Sequence, residues 1–293
     1  MSDYETKQPS LGPSHERALE LLRRDGIAIM RFSELNDDQE LWAELADEAA
    51  GFAGTAKEWL RKRDEPTAGG GKKAGKRRKK AGQREGGKSG EQVKKSDFIV
   101  RSSAIESPEP SPTMLRYALS DQLLGISNAY LGVQAKLTYV DKWYTVPTPD
   151  EAERAKSQRW HRDHIDPHIV KVFTYFTDVD ASAGAIEYVC GSAPGGPYGD
   201  LWVSREEHYP PDGELERQVP PSACVKAEGP AGTVVICDTG GFHRGGFGRR
   251  ERLTANFTYV SPEALESSRT KRRFEPGEQA TGGLSEAARF ALD

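Results

Sequence analysis

Apolar residues in the first part of the chain recur three and four positions apart, which is the spacing of an amphipathic helix. Leu41, Leu45 and Ala49 follow this rule after the capping sequence at 36–38, and a similar pattern follows Ser14. A third helix is predicted over 113–132, where it ends at a glycine. A short apolar run at 26–30 predicts one strand between the first two helices. This helix–strand–helix opening suits a support for a core that lies later in the chain.

From residue 135 onward the pattern changes to short runs rich in β-branched and aromatic residues, separated by glycine and proline. Such closely spaced short strands favour a sandwich or barrel over a parallel α/β sheet. The predicted strands are 136–140, 143–146, 168–176, 184–190, 223–227, 233–237 and 254–260.

These patterns predict one structural domain with three parts. Residues 1–134 form a helical support region, 135–262 form the core, and 263–293 form a polar tail with a short helix near 285–292. The support region contains an insert at 64–96 that has no apolar periodicity. We expect this insert to be disordered, because it cannot bury enough apolar surface to offset the chain entropy lost on folding.

The composition limits the class of protein. Of 293 residues, 36% are hydrophobic and 29% charged, and no apolar run approaches the ~18 residues of a membrane span, so no membrane association is expected. The first residues lack the basic and apolar segments of a signal peptide. Three cysteines without a Cys-x-x-Cys pair indicate a reducing, cytoplasmic setting, with thiols that pack rather than react. No feature of the sequence indicates an oligomeric state.

The charge is unevenly distributed. Residues 72–95 carry eleven Lys or Arg and two Glu, a net +9, so the rest of the chain carries −13 when the whole carries −4. A basic segment of this kind can contact nucleic acid, bind an acidic partner, act as a localisation signal or remain a solvated loop. The solvated loop is favoured over a nucleic-acid or acidic partner, because no aromatic residues are interleaved for base stacking.

Candidate chemistry is concentrated in two short motifs. His161 and Asp163 lie two residues apart, so in an extended strand both side chains point to one face while Arg162 points away. With the distant His243 they make two histidines and one carboxylate, the facial set of non-heme Fe(II) oxygenases, which leaves positions open for a co-substrate and O2. Taken alone, the spacing also occurs by chance, with His243 as an ordinary structural histidine.

The order of several motifs over 135–262 resembles the phytanoyl-CoA dioxygenase-like family of Fe(II)- and 2-oxoglutarate-dependent oxygenases. The segments that carry the resemblance are 160–163, 172–180, 184–192, 232–238, 243–246 and 252–259. Cys190 and Ala193 depart from residues common in the family, and the loop from His243 to Arg252 is about two residues shorter than usual. The resemblance implies a mainly β fold with flanking helices, whose core is a double-stranded β-helix, a cupin-like jelly roll.

The resemblance also implies roles for individual residues. His161, Asp163 and His243 would bind Fe(II), and Arg252 would anchor the distal carboxylate of 2-oxoglutarate, with Arg249 and Arg250 as competitors. Thr254 is a further co-substrate candidate on the face of Arg252, while Thr174 and Lys142 are weaker ones. His164 and His168 are expected to line the site or support it rather than bind metal.

The implied reaction hydroxylates, or otherwise oxidises, a C–H bond of a small-molecule metabolite, using O2 and releasing succinate and CO2. Halogenases of this class lack the carboxylate ligand, so Asp163 favours hydroxylation or desaturation. Two alternatives stay open: a non-catalytic metal-binding jelly roll, and an oxygenase whose RNA or protein target is recruited by 72–95. The segment 194–220, rich in Gly, Pro and acidic residues, is either a lid over the site or a surface loop.

Overall fold

The structure is a computed structural model that describes residues 11–65, 98–148, 154, 156–201, 209–267, 270–274 and 283–293. The basic segment 72–95 lies outside the described residues. Of the 64–96 insert, only residues 64 and 65 are described. The expected disorder of the insert therefore stays a prediction. No described helix has both the length and the apolar character needed to cross a membrane.

In the described residues, six α-helices precede the core strands, one lies among them and two follow. In chain order they are α1 (Pro13–Asp25), α2 (Phe32–Leu35), α3 (Gln39–Asp64), α4 (Ser102–Ile105), α5 (Pro112–Ala118), α6 (Asp121–Leu131), α7 (Glu214–Gln218), α8 (Pro262–Glu266) and α9 (Glu286–Leu292).

The prediction of one helix over 113–132 was wrong, because the chain forms α5 and α6 there instead. The Ser120 side chain accepts a hydrogen bond from the backbone N–H of Leu123 and so caps the start of α6. A serine in this position satisfies one of the N–H groups that a helix start leaves without a partner. The short helix predicted near 285–292 is present as α9.

Nine strands lie within the described residues: β1 (Ile27–Arg31), β2 (Ile99–Arg101), β3 (Lys136–Thr145), β4 (Val170–Tyr175), β5 (Ile186–Val189), β6 (Cys224–Ala227), β7 (Thr233–Asp238), β8 (His243–Arg244) and β9 (Arg252–Val260). They form a six-stranded sheet in the order β1-β7-β4-β9-β3-β2 and a three-stranded sheet in the order β6-β5-β8. All recorded pairs are antiparallel. The two predicted strands at 136–146 are one continuous strand, β3.

The two faces of the six-stranded sheet have different neighbours because side chains alternate along each strand. The outer face packs against helices, and its strand residues share one apolar cluster with α1, α3, α5, α6 and α9. The inner face meets the three-stranded sheet, where Phe173, Tyr175 and Val235 pack with Ile186 and Tyr188. The two sheets thus form a sandwich, as the strand pattern predicts, and the site described next lies at one end of the space between them.

Candidate metal centre

The two motifs predicted to carry metal ligands lie side by side in the structure. The backbones of His161 and His243 exchange both N–H···O=C hydrogen bonds, at 3.1 and 3.0 Å, as a short antiparallel bridge. The next ladder bond runs from the N–H of Asp163 to the carbonyl of Thr239 at 2.8 Å. This pairing places the imidazole rings 4.2 Å apart between centroids. It also keeps His161 and Asp163 on one face, as their spacing predicts.

His161, Asp163 and His243 form the one group of three metal-ligating side chains found in the described residues, with all potential ligand atoms within 4.8 Å of one another. Each histidine is oriented by the carbonyl two residues before it. The Nδ1 of His161 lies 2.9 Å from the Arg159 carbonyl oxygen, and that of His243 lies 3.0 Å from the Gly241 carbonyl oxygen. A proton on Nδ1 leaves each Nε2 lone pair free for a metal, the usual effect of a second partner on a ligating histidine.

The electrostatics of the site keep these groups in the forms that bind metal. Burial lowers the pKa of His243 to about 3, and the neighbouring His161 adds to the effect. Burial acts to raise the pKa of Asp163, but Lys171 and the two histidines outweigh it, so this pKa is lowered. Near neutral pH the site therefore offers a neutral imidazole at His243 and an ionised carboxylate, as metal binding requires.

Lys171 is a neighbour that sequence reasoning missed. Its Nζ donates a hydrogen bond of 2.5 Å to Oδ2 of Asp163, while the same oxygen lies 3.7 Å from Nε2 of His243. Each carboxylate oxygen has two lone pairs, so Oδ2 can accept from the ammonium and still face a metal. The alternation along β4 could have revealed Lys171, because this lysine interrupts an apolar strand on the face of Phe173 and Tyr175.

Asp238, at the end of β7, fixes the loop that leads to His243. Its fully buried carboxylate accepts from the N–H groups of Ile169 and Gly240 through Oδ1, and from Tyr130 and His168 through Oδ2. His168 therefore has a supporting role, one of the two roles expected for it.

Gly241 lets the same loop pack closely against the smaller sheet. A Cβ atom at this position would lie 2.1 Å from the Tyr188 hydroxyl, which donates to the backbone carbonyl of Asp238 at 2.8 Å. Any larger residue would push the loop, and His243 with it, away from that sheet.

Arg162 lies between two of the candidate ligands and points away from them, as predicted. Its guanidinium is buried and donates to the carbonyl oxygens of Ser192 and Gly240, both at 2.7 Å, and to those of Tyr198 and Leu201 at 3.0 and 3.1 Å. It also lies 4.0 Å above the Phe242 ring. One side chain thus joins the His161–Asp163 segment, the His243 loop and the 192–201 segment. Its opposite-face position was readable from the sequence, but these partners were not.

Arg252 and Thr254 lie on the inner face of β9, which also carries Asn256 and Thr258, whereas Leu253, Ala255, Phe257 and Tyr259 pack into the outer clusters. Arg252 is 5% exposed and donates to the Gly184 carbonyl and, at 3.4 Å, to Oγ1 of Thr145. Its Nε has no partner, and no salt bridge to it occurs within the described residues. Burial lowers the pKa of Arg252.

Thr174 and Lys142 lie on the outer face, so the structure does not bring them to the three ligands. Both pair with Ala255, whose side chain belongs to the helix-covered cluster. The Thr174 hydroxyl is 3.1 Å from that of Tyr117 in α5. Lys142 Nζ is 2.6 Å from Glu48 in α3 and 3.4 Å from Glu106. The sequence interpretation placed them near the site without fixing which face each occupies. Arg249 and Arg250 lie in the loop before β9 and are exposed.

The described parts of 194–220 cover the outside of the three-stranded sheet. Tyr198, Leu201, Leu215 and Val219 pack with the buried Trp160 and with Phe242. Tyr209, at the edge of this segment, has its ring 6.0 Å from that of His161. Residues 202–208 lie outside the described residues, so a lid at 194–220 stays a prediction.

Comparison with known proteins identifies solved structures that share the fold of this chain. No protein-family model matches the chain, and no curated protein sequence matches it. Three solved structures superpose on it, each at 16% sequence identity. The epimerase SnoN, in complex with Fe3+, alpha ketoglutarate and nogalamycin RO, covers 85% of this chain and 84% of its own, with a TM-score of 0.50.

The second is the non-heme alpha ketoglutarate dependent carbocyclase SnoK from nogalamycin biosynthesis, which covers 92% of this chain and 98% of its own at a TM-score of 0.50. The third is EctD from S. alaskensis with 2-oxoglutarate and 5-hydroxyectoine, which covers 96% and 89% at a TM-score of 0.51. The fold is a double-stranded β-helix. The predicted fold class, a jelly-roll core with flanking helices, is thereby confirmed.

Proposed function

We propose that this protein is an Fe(II)- and 2-oxoglutarate-dependent dioxygenase that hydroxylates, or otherwise oxidises, a C–H bond of a small molecule. The observation that carries the proposal is the presence of two features between the same two sheets. A three-residue metal centre lies at one end of the space between the sheets, and a buried arginine without a carboxylate partner lies on the same inner face.

The donor set of the centre suits iron. Two imidazoles and one carboxylate on one side of a metal leave the remaining positions open, which is the arrangement of non-heme Fe(II) oxygenases. His161, Asp163 and His243 would hold the ion, with the two histidines binding through Nε2. A structural zinc site would instead surround its metal with four protein ligands.

Arg252 suits the distal carboxylate of 2-oxoglutarate. A buried guanidinium is costly unless an anion accompanies it, and its planar fork offers two parallel hydrogen bonds to a carboxylate. The unpartnered Nε of Arg252 and its full burial are what such a bound anion would explain. Thr254, two residues further along the same face, would border the bound co-substrate.

A small molecule is the favoured substrate class. The inner face of the six-stranded sheet carries aromatic side chains, among them Phe173 and Trp143, whose ring centroids are 6.3 Å apart. Two of the superposed proteins were crystallised with small molecules beside 2-oxoglutarate, namely nogalamycin RO and 5-hydroxyectoine. Membership of the phytanoyl-CoA dioxygenase-like family is part of the same proposal, as is the cytoplasmic setting.

Each side chain then has a defined task. Bound iron and 2-oxoglutarate would supply the oxidising chemistry with O2, and release succinate and CO2. The protein would orient the three ligands through the Arg159 and Gly241 carbonyls and hold Asp163 ionised beside Lys171. It would also exclude water with the apolar residues between the sheets.

The test is succinate formation by purified protein supplied with Fe(II), ascorbate, 2-oxoglutarate and air, without added substrate. Many enzymes of the implied class run this uncoupled reaction slowly. We expect succinate from the unsubstituted protein and none from Asp163→Ala, with Glu20→Ala, an exposed carboxylate on α1, as the matched control. Full activity in Asp163→Ala would show that the ligand assignment is wrong.

Absence of succinate calls for a second measurement, because tight coupling to the substrate gives the same result. Anaerobic addition of Fe(II) and 2-oxoglutarate, followed by visible absorption of the chelate, distinguishes the cases. Binding of the pair would identify a tightly coupled enzyme, and failure to bind would favour a non-catalytic jelly roll. Deletion of 72–95 tests recruitment of an RNA or protein target, since unchanged turnover of a small substrate would exclude it.

A further inference from the structure

Asn256 has a buried side chain with no hydrogen-bond partner in the described residues. It is 1% exposed, and both its Nδ2 and its Oδ1 lack a partner. Most buried polar side chains in folded proteins are paired, and an unpaired one lowers the stability of the folded state. Both polar groups of the Asn256 amide are therefore available to a ligand.

The side chain points into the space between the sheets. Asn256 lies on β9 between Asp141 of β3 and Phe173 of β4, in the set of alternate residues that begins with Arg252. Its sequence neighbours Ala255 and Phe257 fill the outer cluster instead. Asn256 therefore shares a face with the proposed co-substrate anchor, four residues away.

Cross-sheet contacts fix the height of Asn256 relative to the metal centre. Arg252 donates to the carbonyl of Gly184, which precedes β5, so the two strands are level there. A second contact lies two residues further along each strand, at Thr254 on β9 and Ile186 on β5. Tyr175 is the strand partner of Thr254, and Ala227 is the strand partner of Ile186. The Tyr175 hydroxyl donates to the Ala227 carbonyl, so the two sheets are also level at this point.

The next step along both strands reaches Asn256 on β9 and Tyr188 on β5, and Tyr188 pairs with the ligand His243. Asn256 therefore lies opposite the metal centre. Arg252 lies four residues away, or roughly 13 Å along the strand. After allowance for the reach of the arginine, this span suits a short dicarboxylate that binds metal at one end and a guanidinium at the other.

We propose that the side-chain amide of Asn256 hydrogen-bonds the metal-chelating, 2-oxo-acid end of the bound co-substrate. This inference rests on the proposed function and adds a second recognition point to it. The Nδ2 group of Asn256 offers two N–H donors that a carboxylate oxygen can accept. Arg252 then recognises the distal carboxylate, and Asn256 recognises the end that all 2-oxo acids share.

The experiment compares two ligands by anaerobic titration of Fe(II)-loaded protein, with the visible absorption of the chelate as the readout. 2-Oxoglutarate has the distal carboxylate, and 2-oxopentanoate lacks it. In Asn256→Leu we expect both ligands to bind ~10-fold more weakly, the effect of losing one charge-assisted hydrogen bond. Arg252→Leu should weaken 2-oxoglutarate alone. Asn256→Ala, a smaller substitution, should follow Asn256→Leu if the latter does not fold.

Thermal unfolding of the metal-free protein provides a second readout. Removing an unpaired buried amide relieves a cost, so Asn256→Leu should leave the midpoint unchanged or raise it. Asn128→Leu is the matched control. Asn128 is 4% exposed, and its Oδ1 accepts from the N–H of Ala135 at 2.7 Å on the helical side of the protein. Its loss should lower the midpoint and leave ligand binding unchanged.

The possible results separate the two proposals. If the unsubstituted protein binds both 2-oxo acids and the Asn256 variants bind them equally well, the role of Asn256 is wrong while the proposed function stands. A lowered unfolding midpoint with unchanged binding would assign Asn256 a purely structural role and has the same consequence. If the unsubstituted protein binds neither 2-oxo acid, the proposed function fails, and this inference fails with it.

Discussion

Both faces of the six-stranded sheet bury polar side chains, but these side chains differ in whether they have hydrogen-bond or ion-pair partners within the chain. On the outer face, Thr174 bonds to Tyr117, and Lys142 pairs with Glu48 and Glu106. On the inner face, Asn256 has no partner, and Arg252 has no carboxylate and an unpaired Nε. Thr174 and Lys142 are thus paired within the chain, whereas Asn256 and the Nε of Arg252 have no partner in the described residues.

The difference gives a rule for finding a ligand site in this protein. A buried polar group that is paired within the chain contributes to stability, and its loss leaves its partner unsatisfied. A buried polar group without a partner lowers the stability of the free protein, and a ligand that pairs with it offsets this cost. Substitutions on the paired side should therefore lower stability, whereas substitutions on the unpaired side should lower ligand affinity.

The largest effect is expected at Arg162, whose guanidinium donates to four carbonyl oxygens near the candidate metal centre. Arg162→Met removes four hydrogen bonds to carbonyl oxygens and should lower the free energy of unfolding by about 4 kcal/mol. Urea denaturation of the metal-free protein measures this change. Arg159→Met is the control, because Arg159 pairs with the exposed Asp212 and should cost less than about 1 kcal/mol. Equal losses in the two variants would contradict a clamping role for Arg162.

The next prediction compares substitutions of the two buried cations of the sheet, Arg252 on the inner face and Lys142 on the outer face. Arg252→Leu should weaken 2-oxoglutarate binding ~100-fold, the effect of losing a charge-assisted pair, without lowering the unfolding midpoint of the free protein. Lys142→Leu should do the reverse, because it leaves Glu48 and Glu106 without their shared cation. Calorimetric titration and thermal unfolding of both variants check this. A midpoint that falls in Arg252→Leu with unchanged binding would make Arg252 a structural residue.

The structure brings His161, Asp163 and His243 together as the sequence analysis expected, and part of this grouping has local determinants. The two-residue spacing places His161 and Asp163 on one face wherever the backbone is extended. The glycine-rich sequence before His243 lets that loop pack closely, as the contact between Gly241 and Tyr188 shows. The presence of β-strands with Gly and Pro turns was likewise enough to indicate two packed sheets.

The co-substrate candidates were harder to predict because a face can be assigned only when the strand register is known. Thr174 and Thr254 are both threonines in β-branched strands, and they differ only in which neighbours lie on their side of the sheet. Lys171 and Asn256 were missed for the same reason. Asn256 indicates a ligand site because its buried amide has no hydrogen-bond partner in the described residues. Only the folded structure shows this.

A smaller effect concerns His243 and His168, whose surroundings shift their pKa values in opposite directions. Burial lowers the pKa of His243 to about 3, whereas the hydrogen bond to Asp238 raises the pKa of His168. Between pH 6.5 and about 3 the unfolded chain protonates at His243 before the folded chain does. Stability should therefore fall as pH falls, by at most about 1.4 kcal/mol per pH unit. His168 has the opposite sign: its contribution is present below pH 6.5 and is lost as pH rises through its folded pKa.

Urea denaturation of the metal-free protein at pH 5 and pH 6.5 measures both contributions. His243→Gln should reduce the gain in stability between the two pH values, and His168→Gln should increase it. If both variants changed the gain in the same direction, the contrast between His243, whose pKa burial lowers, and His168, whose pKa Asp238 raises, would be wrong.

The smallest effect compares two threonines that differ in little but their face. Thr174→Val removes the partner of the buried Tyr117 hydroxyl and should cost about 1 kcal/mol of unfolding free energy, with 2-oxoglutarate affinity unchanged. Thr254→Val keeps the shape of a side chain that faces the cavity beside Arg252, and should weaken 2-oxoglutarate binding ~5-fold with a smaller change in stability. Because valine replaces threonine at both positions, differences in size and strand propensity cancel. If Thr174→Val weakened binding and Thr254→Val only lowered stability, the assignment of structural and ligand-binding roles to the two faces would have to be reversed.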